Sequence, residues 1–372
     1  MTASSCRVHI RWDNFRHNLL LLQEKGKTLM PVIKADAYGH GALRASEELS
    51  ALGIDWAAIG TLEEGIGIRL HGYQGNIVSL LSRTPDGENI RLAHSHNIIP
   101  LIHSWDGLRA AAEALSALPD IQSFRFAVKM DTGMRRLGFR LEELEEVATF
   151  IASTPALSPC LLLSHFATAD MPDEEEYTQT QAEIFQQGAN ILRHHFPELL
   201  CSLGNTAGLV SHTARSGDIC RPGLAIYGYD PLFGTAGEGQ CGPLLPVMEV
   251  TAPLVSVHPL HKGESLSYAR TYTAESERLV GWVAIGYADG YKRNTAAGTC
   301  MTINGVRVPV IGRVTMQMTC VDLTDLPFTP KAGDMVHVLG GPGHAVSAQE
   351  LADWWGTIPY EVICLLGKNS RA

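Results

Sequence analysis

The sequence predicts an α/β protein in two parts, an N-terminal (β/α)8 TIM-type barrel followed by a mostly-β C-terminal domain. Three observations carry that expectation. Eight short apolar runs alternate with stretches of helical spacing up to about residue 230. A Gly- and Pro-rich stretch, GYDPLFGTAGEGQCGPL, then breaks the pattern. Beyond it the apolar runs take on β-type texture with little helix between them. Strands alternating with helices imply parallel pairing, and eight such units fit a closed barrel.

The strand candidates, in chain order, are TLMPVIKAD (28–36), WAAIGT (56–61), NIVSLLS (76–82), NIIPLIH (97–103), SFRFAVKMD (123–131), PCLLLSHF (159–166), LLCSLGN (199–205) and DICRPGLAIYG (218–228). Between them GALRASEELSALG, LEEGIGIRL and LEELEEVATFIAS have helical spacing. The acidic run DEEE at 173–176 opens a further long helical stretch, where it suits the helix dipole as a solvated face. After the Gly/Pro stretch the β-type runs are MEVTAPLVSVHPL, RLVGWVAIGYAD, TCMTINGVRVPVIGRV, MTCVDL and DMVHVLG. Asn304-Gly305 between alternating runs predicts a hairpin. SAQELADWW predicts a short helix, with Ser347 and Glu350 as a capping box. The domains are therefore placed at 1–233 and 234–372. The strand-like CRVHI near the start is open to pairing with the β domain.

Composition narrows the function. The chain has 372 residues, 45% hydrophobic and 18% charged, with a formal net charge of -10. That length suits two cores. No basic block marks a nucleic-acid footprint, and no apolar run has the length of a membrane span. The opening stretch has no signal-peptide core, so a cytoplasmic location is expected. Eight cysteines include no CxxC pair and read as small buried hydrophobes, and no metal site is expected.

In such barrels chemistry sits at the C-terminal ends of the strands. The candidate runs place Lys34 at the first end, Lys129, Met130 and Asp131 at the fifth, His165 at the sixth, Asn205 and Thr206 at the seventh, and Arg221 and Gly223 on the eighth. Each has a plainer alternative. Lysines snorkel, a single histidine is more often a hydrogen-bonded core residue, Thr206 can cap a helix, and Arg221 can serve a structural ion pair. Together they share one rim, which favours a site. Thr206 at a helix start and Gly223 suit a phosphate. A phosphate beside the Lys34 amine points to pyridoxal phosphate held as a Schiff base. Pattern and spacing do not name the reaction.

The segment VIKADAYGHGA closely resembles the cofactor-lysine signature of bacterial alanine racemases. KMDTGMRRLGF, SHFATAD, GNTAGL, RPGLAIYG, LSYARTY, IGYADGYKR, GRVTMQM and IPYEVI match in order, over essentially the whole chain. The resemblance implies pyridoxal 5'-phosphate as cofactor and a head-to-tail homodimer whose active sites are shared between subunits. Lys34 would carry the cofactor and act as base on one face of the substrate, with Tyr268 of the other subunit on the opposite face. One base per face is what racemisation requires. His165 would hydrogen-bond the tyrosine oxygen. Arg221 would orient His165 and donate to the pyridine nitrogen. Tyr38, Thr206, Gly223, Leu224 and Tyr360 match phosphate-binding positions, and Asn205 lies beside them. Arg136 and Met316 match carboxylate-binding positions, Tyr287 and Tyr360 narrow the passage to the site, and Lys129 matches a lysine often carbamylated. D-Alanine for cell-wall peptidoglycan is the role the family implies; a catabolic role fits the same residues.

The chain departs from the pattern at four positions. Gln317 stands where Asp is common, Thr315 where Ser or Cys is usual, Ala269 where Gly is common and Thr206 where Ser is usual. Loss of the acid at 317 opens a serine or other small amino-acid substrate as the alternative to alanine, or a relative that has lost activity. A non-catalytic pyridoxal-phosphate carrier would lack the β domain and Tyr268. A decarboxylase of a basic amino acid would present a carboxylate where Arg221 stands.

Overall fold

The computed structural model describes residues 6–81 and 85–371. The chain divides into two compact units. One holds Phe15–Ala37 and Ala42–Leu245. The other holds the segment ending at Asn14, the four residues Tyr38–Gly41, and the chain from Pro246 onward. The first strand, β1 (Arg7–Ile10), belongs to this second unit.

The larger unit is a ring of parallel strands: β2 (Thr28–Leu29), β3 (Trp56–Ile59), β4 (Asn76–Ser79), β5 (Ile98–Ile102), β6 (Phe124–Lys129), β7 (Leu157–Leu163), β8 (Leu200–Ser202) and β9 (Ile219–Cys220). β3 to β8 pair in sequence order, and β2 pairs with β9. Single hydrogen bonds join the two sheets. Ile33 N–H donates to Ala58 O at 2.9 Å, Ala58 N–H to Pro31 O at 2.9 Å, and Arg221 N–H to Gly204 O at 2.8 Å. Helices cover the outside, among them Ala42–Ala51, Leu62–Leu70, Trp105–Ser116, Leu144–Ala152 and Glu175–His195. Their inward faces bury Ile68, Leu108, Ala111, Val147, Phe185 and Leu192. Phe124, Phe126, Val128 and Leu162 of the strands are equally buried. Each of these side chains other than Ala111 contributes roughly 1.5–3 kcal/mol by leaving water.

The strands are shorter than the apolar runs that predict them, with two corrections of kind. Residues 34–36 of the first run lie in a helical turn, Lys34–Gly39, because pairing to β3 ends at the Val32–Ala58 bridge. In the last run the regular ladder ends at Cys220, although Pro222 O still accepts Val32 N–H at 2.9 Å. Pro222 has no N–H to give a ladder, and Leu224–Tyr227 is a 3-10 turn entered from Gly223. Of the third run, Ser82 lies outside the described residues. The acidic run leads through a short turn, Pro172–Glu174, into the long helix Glu175–His195. The Gly/Pro stretch is a folded loop. Asp230 accepts the N–H groups of Leu232 at 2.9 Å and Gly239 at 2.8 Å, and Asn18 accepts that of Leu245 at 2.8 Å.

The smaller unit is antiparallel. Its strands are β1, β10 (Met248–Leu260), the ribbon β11 (Ser265–Leu266) with β12 (Tyr272–Thr273), β13 (Arg278–Val283), β14 (Cys300–Ile303), β15 (Val306–Ile311), β16 (Thr319–Asp322) and β17 (Met335–Leu339). The main sheet runs β1-β10-β13-β16-β15-β14-β17, and β17 pairs back onto β10. β1 pairs with β10, with Arg7 opposite Thr251. Asn304 and Gly305, both at positive φ, make the β14–β15 hairpin. The helix Ala348–Trp355 has its capping box at Ser347 and Glu350. A second helix, Pro359–Leu366, buries Pro359, Val362, Ile363 and Leu366 at helical spacing.

Candidate active site

Lys34 opens a turn of the wrong hand. Ala35, Asp36, Ala37 and Tyr38 have φ of 52, 56, 53 and 53°, and Gly39 follows at 84°. Four consecutive L-residues in the left-handed region cost about 1–2 kcal/mol each. The turn persists because it is held. Ala37 N–H donates to Ile33 O at 2.9 Å, and the Asp36 carboxylate accepts Ala42 N–H at 2.8 Å. Ala37 is fully buried. Gly39 packs against Gly367 so closely that a Cβ on Gly39 would stand 2.8 Å from Gly367 Cα. The backbone that bears Lys34 thus belongs to a strained, held segment where β2 has ended.

Arg221 is the centre of the larger unit's polar cluster. It is 4% exposed. Its guanidinium donates to Ser202 O at 2.8 Å, Ser164 O at 2.5 Å, Leu203 O at 3.2 Å, the Ser202 hydroxyl and His165 Nδ1 at 3.2 Å. Among the described residues no carboxylate pairs with it. An uncompensated buried cation is costly, and burial lowers its pKa to about 10, still well above neutrality. A guanidinium only donates, so His165 Nδ1 must accept, and the ring proton of neutral His165 sits on Nε2. The imidazole stays neutral: burial, then Arg221, Lys129, Arg136 and Lys34, hold its pKa well below the usual range.

Lys129 ends β6 and donates from Nζ to Met130 O at 2.8 Å. Burial, with Arg221 and Arg136 adding to it against Asp131, lowers its amine to about 7. Arg136 itself is exposed on the loop after β6. Asp131 shapes that loop by accepting Gly133 N–H at 2.9 Å and Arg135 N–H at 3.1 Å.

Two helix starts meet next to Arg221. Asn205 caps the helix Thr206–Ser211 by accepting Gly208 N–H at 2.9 Å, so Asn205 does the capping and Thr206 is left for something else. Thr206 Oγ1 accepts Gly223 N–H at 2.9 Å, which ties this helix start to that of Leu224–Tyr227. First-turn N–H groups lack intrahelical partners and favour anions. The remaining first-turn N–H groups and the Thr206 hydroxyl fit a phosphate.

The remaining candidates lie in the smaller unit. Tyr38 and Tyr360 face each other with ring centroids 5.8 Å apart. Tyr268 is 67% exposed, on a turn where Ser267, Ala269 and Arg270 all have positive φ. The Ser267 hydroxyl fastens that turn to Arg313 O at 2.7 Å. Tyr287 N–H bonds Thr315 O at 3.1 Å and Ala288 N–H bonds Met316 O at 2.9 Å, so the Tyr287 and Met316 loops are one assembly. Thr315 closes the second loop on Met318 O at 2.8 Å, leaving Gln317 exposed at its tip.

Sequence reasoning misses Ser164, Ser202, Thr132 and Gln181. The first two supply carbonyls to Arg221. The Thr132 and Ser164 hydroxyls lie 2.8 Å apart. Ser164 and Ser202 lie inside apolar runs, Gln181 in a helix and Thr132 in a loop, and no local pattern marks them. Among the described residues no three His, Cys, Asp or Glu side chains gather to hold a metal, and no helix is long and apolar enough to cross a membrane. Among the described residues no disulfide joins any of the eight cysteines.

The sequence model of "Alanine racemase, N-terminal domain" matches residues 10–231, and that of "Alanine racemase, C-terminal domain" matches 247–372. An alanine racemase of Nitratidesulfovibrio vulgaris (strain Miyazaki F) is 44% identical over 364 residues, covering 98% of this chain and 96% of its own. That of Lawsonia intracellularis is 37% identical, covering 100% and 98%. Among solved structures, the biosynthetic alanine racemase of Pseudomonas aeruginosa superposes with a TM-score of 0.84 at 30% identity, covering 98% of this chain and 97% of its own. The alanine racemase of Bartonella henselae, solved with covalently bound pyridoxal phosphate, gives 0.87 at 25% identity, covering 99% and 98%.

Proposed function

Because this chain belongs to the alanine racemase family, we propose that it interconverts L- and D-alanine by a two-base mechanism, with pyridoxal phosphate held covalently on Lys34. The observation that carries this reading is the buried Arg221, which donates to Nδ1 of His165 at 3.2 Å and so leaves the imidazole its Nε2–H to give. When bound, pyridoxal phosphate makes the α-proton of an attached amino acid acidic enough to move. Thr206, Gly223, Leu224, Asn205, Tyr38 and Tyr360 would hold the phosphate end. Arg221 would donate to the ring nitrogen while keeping its own proton, which limits charge delocalisation and so suppresses side reactions. Arg136 and the backbone N–H of Met316 would hold the substrate carboxylate, and Tyr287 would narrow the passage to the site.

The α-proton would pass between Lys34 Nζ on one face and the phenolic oxygen of Tyr268, from a second copy of the chain, on the other. A phenol with an ordinary pKa of about 10 needs help near neutrality. The Nε2–H of His165 would give it, by donating to the phenolate. Carbamylation of Lys129 would convert a cation beside Arg136 into an anion that pairs with it. The relatives are alanine racemases and do not favour the serine alternative. The assembly is a homodimer in this reading, the location cytoplasmic, and the product D-alanine for peptidoglycan.

Borohydride reduction followed by peptide mass mapping should place the cofactor on Lys34. With L-alanine in deuterated water, D-alanine carrying α-deuterium should form. A label elsewhere overturns the role of Lys34. Deuterium entering alanine with no D-alanine formed overturns the role of Tyr268.

A further inference from the structure

Gln181 lies on the long helix Glu175–His195 and is fully buried. The proposed chemistry leaves it without a task. Its amide nevertheless reaches three groups on two loops. Nε2 donates to the His165 carbonyl at 3.2 Å and to the Thr132 hydroxyl at 3.3 Å. Oε1 accepts Ala167 N–H at 2.9 Å. A space-filling residue at a fully buried position needs none of this, and an amide buried without such bonds is costly.

The loop after β7 is therefore gripped from two sides. Arg221 takes the Ser164 carbonyl and the imidazole Nδ1. Gln181 takes the His165 carbonyl and the N–H two residues on. A carbonyl and an N–H bound by one planar amide leave the peptide planes of 165–167 little freedom to rotate. Arg221 thus selects the tautomer, and Gln181 sets where the backbone bearing the ring stands. The Thr132 hydroxyl extends the grip to the loop that carries Arg136, and through Ser164 back to the histidine loop.

We propose that Gln181 is a positioning residue for the racemisation: by pinning the His165 carbonyl and the Ala167 N–H it aims His165 Nε2 at the phenol of the second base. This rests on the reading above that His165 governs the proton of Tyr268. Misaimed by even 1 Å, such a donor loses rate by up to about a hundredfold.

The test compares holoenzyme with Gln181→Met, which keeps the volume and loses all three bonds. In Gln181→Glu an acceptor for Ala167 N–H remains and an oxygen faces the His165 carbonyl. In both, kcat falls between about ten- and a hundredfold with KM within a few fold. Slowing one of two successive proton transfers makes that transfer more rate-limiting. The α-deuterium isotope effect then rises in one direction of racemisation and falls in the other. Borohydride still labels Lys34 in both, and in Gln181→Met hydrogen exchange at the Ala167 amide speeds up before that of its neighbours. Unchanged kcat, or a fall in kcat with isotope effects unchanged in both directions, overturns the proposal and leaves Gln181 a structural residue. If Gln181→Met does not fold, Gln181→Glu carries the same comparison. Wild-type protein unlabelled at Lys34 overturns the underlying function, and this inference with it.

Discussion

At the scale of single residues, Lys129 and Ala269 make the sharpest demands. The Lys129 amine sits at about 7 in the folded chain and at its ordinary value of about 10.4 when unfolded. Between those values the unfolded chain binds a proton that the native one does not, so uncarbamylated protein gains stability as pH rises through that window. Below about pH 7 both states are protonated and the native state carries the full burden of a buried cation. Carbamylation needs the free amine. At fixed dissolved CO2, the rate of 13C incorporation at Lys129 should climb with pH and level off above about 7, read by NMR. An inflection near 10 would show an ordinary, solvated lysine. Ala269 is a departure from the resemblance with a visible consequence, since it stands at φ 61°. Ala269→Gly should raise stability by about 1 kcal/mol, measured by denaturant unfolding. Lys34 and His165 were legible as candidates because each stands near the end of an apolar run, and Arg221 because it interrupts one. Gln181 was not legible, because its meaning lies in partners 14 to 49 positions away in the chain.

At the scale of elements, the eight runs and their order were legible from hydrophobic alternation, and the hairpin and capped helix from Asn304-Gly305 and Ser347. Strand ends were not. An apolar run does not say where a proline withholds an N–H, as Pro222 does, nor where a chain stops finding a neighbour, as after Val32. The hand of the turn after Lys34 was also hidden, because alanine, aspartate and tyrosine carry no signal for positive φ. That turn is testable at Ala35, which is exposed and at φ 52°. Ala35→Val changes no buried contact, yet puts a β-branched residue in the left-handed region. It should lower stability by at least about 1–2 kcal/mol and weaken borohydride labelling of Lys34. An effect no larger than that of an ordinary surface substitution would mean the turn relaxes freely.

At the scale of the whole molecule, the proposed sharing of sites between two copies gives a mixing experiment. Lys34→Ala and Tyr268→Phe homodimers should each be nearly inactive. Unfolded and refolded together in equal amounts, they should recover about a quarter of wild-type activity, since half the dimers are mixed and each of these holds one intact site. No recovery would mean that both residues serve one site from the same chain. The close approach of Gly39 to Gly367 has a consequence in time. The two glycines are more than three hundred residues apart in sequence. Contacts that distant form late, after the entropy of closing a long loop has been met. In the turn that bears Lys34 the local bonds of Asp36 and Ala37 work against residues that prefer the opposite hand, and the distant contact completes its hold. A folding chain would therefore build most of its barrel before it owned a competent lysine, and cofactor capture would report completion of the fold.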